Sequence, residues 1–319
     1  MCITLLSTAH PAYPFILLNN RDEFLNRPTA QAQWWDSPYG HVLGGRDLHR
    51  QERGTWLGIT KQGRIANLTN YREEGVEVMG SKSRGGLIKA YLAPPESGWT
   101  DETFVKHLID DVGIHDVGGC TLLFGELRAL RTDGSLPGLS AVSNRTSNAG
   151  DVTKIGTRLL ETHGLSNSHY ENSATADSWP KVVTGERLLS EAIESNLKTG
   201  DSQEIFMNQL FDVLSVDSLP RPKQGDDFQT YTRQLRHSIF IPPVGGSAIE
   251  SKTADEVAAA DDYADVKLGE GVYGTHQQTV ILVNVEGHVT FVERTLYDTR
   301  GRADQRDRKF DFQIEGWKQ

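Results

Sequence analysis

The sequence predicts an α+β fold in which runs of strands alternate with runs of helices. Segments with the alternating, β-branched pattern of strands occur near both ends of the 319-residue chain, for example at 2–7 and 278–284. Two segments between them, 180–198 and 203–215, place their apolar residues at helical spacing. The order is strands, helices, strands, helices, strands, which two antiparallel sheets covered by helices would produce.

The first predicted element is a β-hairpin. Residues 2–7 and 15–20 are apolar and have the pattern of strands. Pro11 and Pro14, which a sheet interior does not accept, separate the two segments and predict a turn. The end of the second strand therefore returns to the start of the first, where the sequence continues Asn20-Arg21-Asp22-Glu23.

The remaining elements follow in order along the chain. Residues 25–50 are predicted to be rich in loops, and two later segments, 220–227 and 245–271, are predicted to be surface loops. The second of these has scattered acidic residues and few large apolar ones, so we expect a mobile insertion, with a lid or a partner-docking loop as the alternative. The other predicted strands are 56–60, 64–70, 121–127, 139–144, 238–241, 278–284 and 288–294, and the helices are 83–92, 100–109, 180–198 and 203–215.

Composition limits the classes of function. We expect one domain over 1–319, because the strands at both ends fit one sheet system. The net charge of −10 argues against a general nucleic-acid-binding protein. Two cysteines make no disulfide framework, which fits a reducing compartment, and no zinc or calcium motif is present. The N-terminal segment lacks the pattern of a secretory signal, and the longest apolar runs are strand-sized, so no transmembrane segment is expected.

Cys2 follows the initiator methionine and is the main candidate nucleophile. We expect Met1 to be removed, because a small second residue favours its cleavage. Cys2 would then carry both a thiol and an α-amine, and the amine can act as the base that activates the thiol. Arg21 would favour the thiolate and Asp22 could hold the amine in place. The alternative is that Cys2 is a small apolar residue that opens a buried strand.

Several short motifs together resemble one family. They are Asn20-Arg21-Asp22-Glu23, Arg27-Pro28-Thr29, Trp34-Trp35, Gly54-Thr55-Trp56-Leu57-Gly58, Leu68-Thr69-Asn70-Tyr71-Arg72, Ser83-Arg84-Gly85, Ser143-Asn144-Arg145 and Tyr273-Gly274-Thr275. This combination resembles the NRDE family, also called the transport and Golgi organisation family, over essentially the whole chain. The resemblance implies a four-layer αββα sandwich. The family is more remotely similar to N-terminal-nucleophile hydrolases of the bile-salt hydrolase and penicillin V acylase group, which also begin Met-Cys.

The resemblance also implies roles for two asparagines. Asn70 is similar to an asparagine that helps to form the oxyanion hole in the bile-salt hydrolase group, and Asn144 resembles the second asparagine of that site. The alternative is that both residues end strands and satisfy turn backbone groups. We expect Cys2, Arg21, Asp22, Asn70 and Asn144 to share one catalytic pocket.

A second set of residues could bind a flat or anionic ligand. The aromatic rings of Trp34 and Trp35 could stack on it, although large aromatics also fill cores. The cations Arg27, Arg72 and Arg145 could contact propionates or phosphates. The chain has His276 where the family commonly has an arginine, and because histidine is mostly neutral at pH 7, a cation is not expected there.

The resemblance favours a ligand-handling function. Its expected ligand is haem or an acyl-lipid or acyl-CoA, handled in intracellular trafficking and homeostasis and associated with Golgi organisation and protein secretion. No cofactor is required in this interpretation, and haem would be a transported ligand. The expected location is the cytoplasm, with association at the Golgi or the mitochondrion and peripheral membrane or organelle contact. The alternative is an N-terminal-cysteine amidohydrolase that uses Cys2 on non-peptide C–N bonds.

Overall fold

The computed structural model describes residues 2–70, 83–94, 98–128, 130–167, 179–220, 234–245 and 271–318. The strands are Ile3–Ser7 (β1), Phe15–Phe24 (β2), Thr29–Trp34 (β3), Val42–Asp47 (β4), Leu57–Thr60 (β5), Arg64–Asn70 (β6), Cys120–Glu126 (β7), Leu139–Ser143 (β8), Thr153–Ile155 (β9), Thr162–Ser166 (β10), Tyr273–Val283 (β11), His288–Tyr297 (β12) and Ala303–Gln313 (β13). The α-helices are Arg84–Leu92 (α1), Asp101–His107 (α2), Pro180–Thr199 (α3) and Gln203–Leu214 (α4).

The strands form two antiparallel sheets. The first has the order β10-β1-β2-β11-β12-β13 and the second the order β3-β4-β5-β6-β7-β8-β9. An apolar core that includes Leu6, Ile281 and Leu123 lies between the sheets. Because side chains alternate between the two faces of a strand, each sheet also has an outer apolar face.

Helices cover both outer faces. Helices α3 and α4 pack on the first sheet through a core that includes Leu5, Leu189 and Phe206. Helices α1 and α2 pack on the second sheet, where Phe104 meets Phe124. The layers are helices, sheet, sheet, helices, so the predicted α+β class and αββα sandwich are confirmed.

Strand β2 is central to the first sheet and carries the motif that the sequence singled out. It pairs with β1, where Ile3 lies opposite Asn20, so the predicted first hairpin is confirmed. On its other side β2 pairs with β11, whose register shifts between Thr275 and Gln277. The end of β2 is therefore enclosed by the start of β1 and by an irregularity in β11.

Several local predictions were wrong. Residues 25–50 contain β3 and β4, which pair with each other although polar residues interrupt their apolar pattern. Residues 238–241 form no strand: Ile239 and Ile241 are buried, but Ser238 bonds locally to Phe240 O. Strands β9, β10 and β13 were missed, because β9 and β10 are short and β13 alternates charged residues at a sheet edge.

Some predictions fall on residues that the structure does not describe. The predicted loop at 220–227 lies outside the described residues from 221 onwards, and the predicted insertion at 245–271 does so over 246–270. Arg72 also lies there. The single domain over 1–319 stays a prediction. In the described part of the chain, no helix combines the length and the apolar character that a membrane crossing requires.

Candidate active site

Strand β2 changes from apolar to polar halfway along its length, yet its polar residues are buried. A buried polar group without a hydrogen bond costs about 1–3 kcal/mol, so polar residues on an interior strand need partners. The bonds are Asn19 Nδ2 to Ile3 O and Thr4 Oγ1, Asn20 Nδ2 to Leu214 O and Ile239 O, Arg21 Nη1 to Gln277 Oε1, Thr275 Oγ1 to Asp22 Oδ1, and Phe24 N–H to Glu23 Oε1. Such departures from an apolar pattern are expected at functional sites.

Cys2 lies immediately before β1, beside the polar end of β2. Its thiol donates a weak hydrogen bond to the backbone carbonyl oxygen of Asp22, with an Sγ–O distance of 3.8 Å. Burial raises the pKa of the Cys2 thiol above its ordinary value, and the Asp22 carboxylate acts in the same direction, whereas the charge of Arg21 lowers it. The resting thiol is therefore protonated at neutral pH, and a reaction at Cys2 needs a base.

Arg21 lies on the face of the first sheet that points towards the second sheet. Its guanidinium carbon lies 4.3 Å from the ring centroid of Trp56, which packs against the core between the sheets. Trp56 fits there because Gly45 has no side chain: a Cβ at that position would lie 2.4 Å from the Trp56 ring. Arg21 also lies 3.8 Å from Glu23, so the cation is fixed by stacking and by an ion pair.

Asp22 points to the opposite face, because successive side chains of a strand alternate. It accepts a hydrogen bond of 2.7 Å from Thr275 Oγ1. A buried cation, Lys181 in the first turn of α3, acts electrostatically with both Asp22 and Cys2. The structure thus brings Cys2, Arg21 and Asp22 together, as the sequence predicted, and adds Lys181, for which the sequence offered no signal because lysine is rarely fully buried.

Asn70 is linked to Cys2 through the end of β10. Ser166 Oγ donates to the carbonyl oxygen of Cys2 at 2.6 Å. The next residue, Asn167, donates from Nδ2 to the backbone carbonyl oxygen of Asn70, also at 2.6 Å. The second sheet is therefore fastened to the first beside Cys2. Asn167 was missed from the sequence because β10 has too few apolar residues to mark its end.

Asn144 has other neighbours. Its backbone N–H donates to Cys120 O at 3.2 Å, and its carbonyl oxygen accepts from His115 Nδ1 at 2.6 Å. Among the described residues, no hydrogen bond joins Asn144 to Cys2, so its place in the catalytic set stays a prediction.

The residues predicted to bind a ligand are not gathered in one place. Trp35 is buried and donates from Nε1 to Gly44 O, and Trp34 packs edge-on against Phe312. Arg27 makes an ion pair of 2.8 Å with Asp47, and Arg145 is exposed after β8. The two tryptophans therefore have the packing role that the sequence left open as the alternative.

Two further titratable groups lie near Arg21. Burial, with the charge of Arg21, lowers the pKa of His276 to about 4, so this residue is neutral at pH 7, as its imidazole chemistry predicted. Burial raises the pKa of Glu293 to about 7, although the Ala32 N–H, which donates to Glu293 Oε1 at 2.6 Å, favours the carboxylate. Within the described ranges, no three His, Cys, Asp or Glu side chains are grouped as metal ligands.

Comparisons with known proteins agree with the motifs. The family model described as Transport and Golgi organisation 2 matches residues 1–298. The bovine Transport and Golgi organization protein 2 homolog is 31% identical over 288 residues, covering 89% of this chain and 87% of that protein. The mouse homolog is 29% identical over 290 residues, covering 90% and 88%.

Two solved structures are also similar, at low identity. A Caenorhabditis elegans ortholog of N-acylethanolamine-hydrolyzing acid amidase is 11% identical with a TM-score of 0.41, covering 74% of this chain and 98% of that one. A mutant of the conjugated bile acid hydrolase from Clostridium perfringens is 9% identical with a TM-score of 0.37, covering 99% and 98%. The family-model match over nearly the whole chain and the identity to the bovine homolog place this chain in the Transport and Golgi organisation 2 family.

Proposed function

We propose that this chain acts on acyl ligands at Cys2, as an N-terminal-cysteine amidohydrolase. The observation that carries the proposal is the placement of the Cys2 thiol between the buried Arg21 and Asp22, at the one end of β2 where polar residues replace apolar ones. A cysteine that only opened a strand would need neither charge.

The proposed reaction has two steps. The Cys2 sulfur attacks the carbonyl carbon of an amide, the thiol proton passes to a base, and the carbonyl electrons move to oxygen. The C–N bond then breaks, the amine leaves with a proton, and a thioester remains on Cys2. Water cleaves the C–S bond, which releases the carboxylic acid and restores the thiol. The α-amine of Cys2, once Met1 is removed, is the proposed base.

A ligand-handling role is the second candidate, and the family description, transport and Golgi organisation, favours it. In this role the chain binds haem or an acyl-lipid or acyl-CoA in the cytoplasm and in contact with the Golgi or the mitochondrion, without turnover. The arginines Arg27 and Arg145 remain candidate contacts for its anionic groups. Because Trp34 and Trp35 are packed in the protein, a flat ligand would need another aromatic surface.

Turnover separates the two candidates. The purified protein would be incubated with a panel of acyl amides and acyl-CoA thioesters, beside Cys2→Ser and Cys2→Ala variants. Cys120→Ala is the matched control, because it removes a thiol that is fully buried away from the site. The amidohydrolase proposal predicts multiple turnover that Cys2→Ala abolishes and Cys120→Ala retains.

Binding gives the opposite outcome a positive signature. If no amide is turned over while haem or acyl-CoA binds equally to the native protein and to Cys2→Ser, the amidohydrolase proposal is wrong and the ligand-handling role stands.

A further inference from the structure

Lys181 is fully buried, with 0% of its surface exposed, and it lies in the first turn of α3. Two physical effects oppose a cation at this place. Lysine is almost never fully buried unless it is paired. In addition, the N-terminal end of a helix carries a partial positive charge, which repels an ammonium group. A lysine that bears both costs needs anionic neighbours.

The neighbours of Lys181 belong to the candidate active site. The charges that act on it are those of Asp22 and Cys2, and both favour the ammonium form, whereas burial lowers its pKa. Its Nζ also lies 5.6 Å from the ring centroid of Trp179, which adds a cation–π contact. Asp22 is held in turn by Thr275 Oγ1 at 2.7 Å.

Lys181 and Arg21 approach the site from opposite faces of the first sheet. Arg21 stacks on Trp56 in the space between the two sheets. Lys181 belongs to α3, which packs on the outer face of that sheet. The packing of α3 is close, because a Cβ at Gly164 of β10 would lie 2.7 Å from Val182, the residue after Lys181. The ammonium is therefore held at a fixed height above Asp22 and Cys2.

We propose that Lys181 is a positioning residue of the Cys2 site, and that its ammonium group, paired with Asp22, stabilises the Cys2 thiolate from the helix-covered face of the sheet. The inference rests on Cys2 being the reactive group of the proposed function, but it does not require a known substrate. Arg21 offsets the carboxylate from one face and Lys181 from the other, so the thiol can lose its proton to a base despite its burial.

The pH dependence of Cys2 alkylation by iodoacetamide tests this directly. Alkylation follows the thiolate, and it is located by peptide mass spectrometry. Cys120 does not compete, because burial raises the pKa of its thiol to about 12. We expect Lys181→Met to raise the Cys2 thiol pKa by about one unit, which is roughly tenfold slower alkylation below that pKa. Lys181→Arg keeps the charge and is expected to alkylate within about threefold of the native rate.

Lys198→Met is the matched control. It removes a lysine from the same helix, but one whose side chain is 77% exposed and faces Glu194. An unchanged thiol pKa in a folded Lys181→Met protein would overturn the proposal, as would equal shifts in Lys181→Met and Lys198→Met.

Lys181→Met leaves Asp22 buried opposite an apolar side chain and can fail to fold. The pair Asp22→Asn and Asp22→Asn/Lys181→Met avoids this, because neither protein contains that unbalanced carboxylate. The double variant is expected to have the higher thiol pKa of the two, and equal values would overturn the proposal. Since alkylation needs no substrate, a protein without amidohydrolase activity can still pass this test.

Discussion

Asn167 Nδ2 donates to the backbone carbonyl oxygen of Asn70 at 2.6 Å, and this bond joins the two sheets beside Cys2. Asn167 follows β10 in the first sheet, and Asn70 is the last residue of β6 in the second. Ser166, the neighbour of Asn167, bonds to the Cys2 carbonyl oxygen. One dipeptide therefore sets both the position of Cys2 and the distance of Asn70 from it.

Asn167→Ala is expected to lower the free energy of unfolding by about 1–3 kcal/mol, because it leaves the Asn70 carbonyl without this donor. It is also expected to reduce any Cys2-dependent turnover, since Asn70 is no longer fixed. Urea denaturation and the turnover assay measure the two effects. Asn144→Ala is the comparison, and a larger loss of turnover in that variant would return Asn144 to the site in place of Asn167.

Removal of Met1 is the second prediction. A retained Met1 would block the α-amine of Cys2 and remove the proposed base. Intact mass spectrometry of the protein purified from its native source is expected to show the chain without Met1. A mass that includes the methionine residue would contradict an N-terminal-nucleophile mechanism and favour the ligand-handling role.

The first hairpin and its motif were predictable from the sequence, because two apolar strands around a proline-containing turn allow one local pairing. That pairing alone brings Arg21 and Asp22 to Cys2. Both long helices were predictable for a similar reason, since their apolar residues follow a clear helical period.

Long-range partners were not predictable. Lys181 reaches the site only because α3 crosses the first sheet, and burial statistics place a lysine on the surface. Trp34 and Trp35 illustrate the opposite case: an aromatic pair in a polar segment suggested a ligand surface, whereas β3 places Trp35 in a core and packs Trp34 against β13. Sequence spacing does not distinguish these outcomes, because both depend on sheet pairing across distant segments.

Gly185→Ala tests whether the close packing of α3 matters. A Cβ at Gly185 would lie 2.8 Å from Leu5 Cδ2, and Leu5 is fully buried in the core beneath the helix. Although alanine is the better helix former by about 1 kcal/mol, overpacking costs about 1–3 kcal/mol. We therefore expect a net loss of stability in urea denaturation, together with a changed Cys2 alkylation rate as Lys181 moves.

Gly86→Ala in α1 is the matched control for Gly185→Ala. The nearest atom to a Cβ at Gly86 is Ser83 Cβ at 3.7 Å, which is ordinary contact. This variant is expected to gain up to about 1 kcal/mol from helix propensity. Equal gains in both variants would show that α3 has room to shift.

The last prediction concerns the pH dependence of stability, in which two buried groups near Arg21 oppose each other. Glu293 has its pKa raised to about 7, so its contribution is full below its ordinary value of 4.5 and is lost as the pH rises through 7. His276 has its pKa lowered to about 4, so its contribution is present above its ordinary value of 6.5 and is lost as the pH falls through 4. Each amounts to about 3 kcal/mol.

These contributions cancel between about pH 4.5 and 6.5, so single variants should reveal each one. Glu293→Gln removes the first group while its amide oxygen can still accept from Ala32, and its stability is expected to fall on acidification from 6.5 to 4. His276→Gln removes the second, and its stability is expected to fall as the pH rises from 4.5 to 7. Urea unfolding midpoints across this range measure both slopes. Parallel curves for the native protein and both variants would refute the assignment, because the two substitutions must tilt the curve in opposite directions.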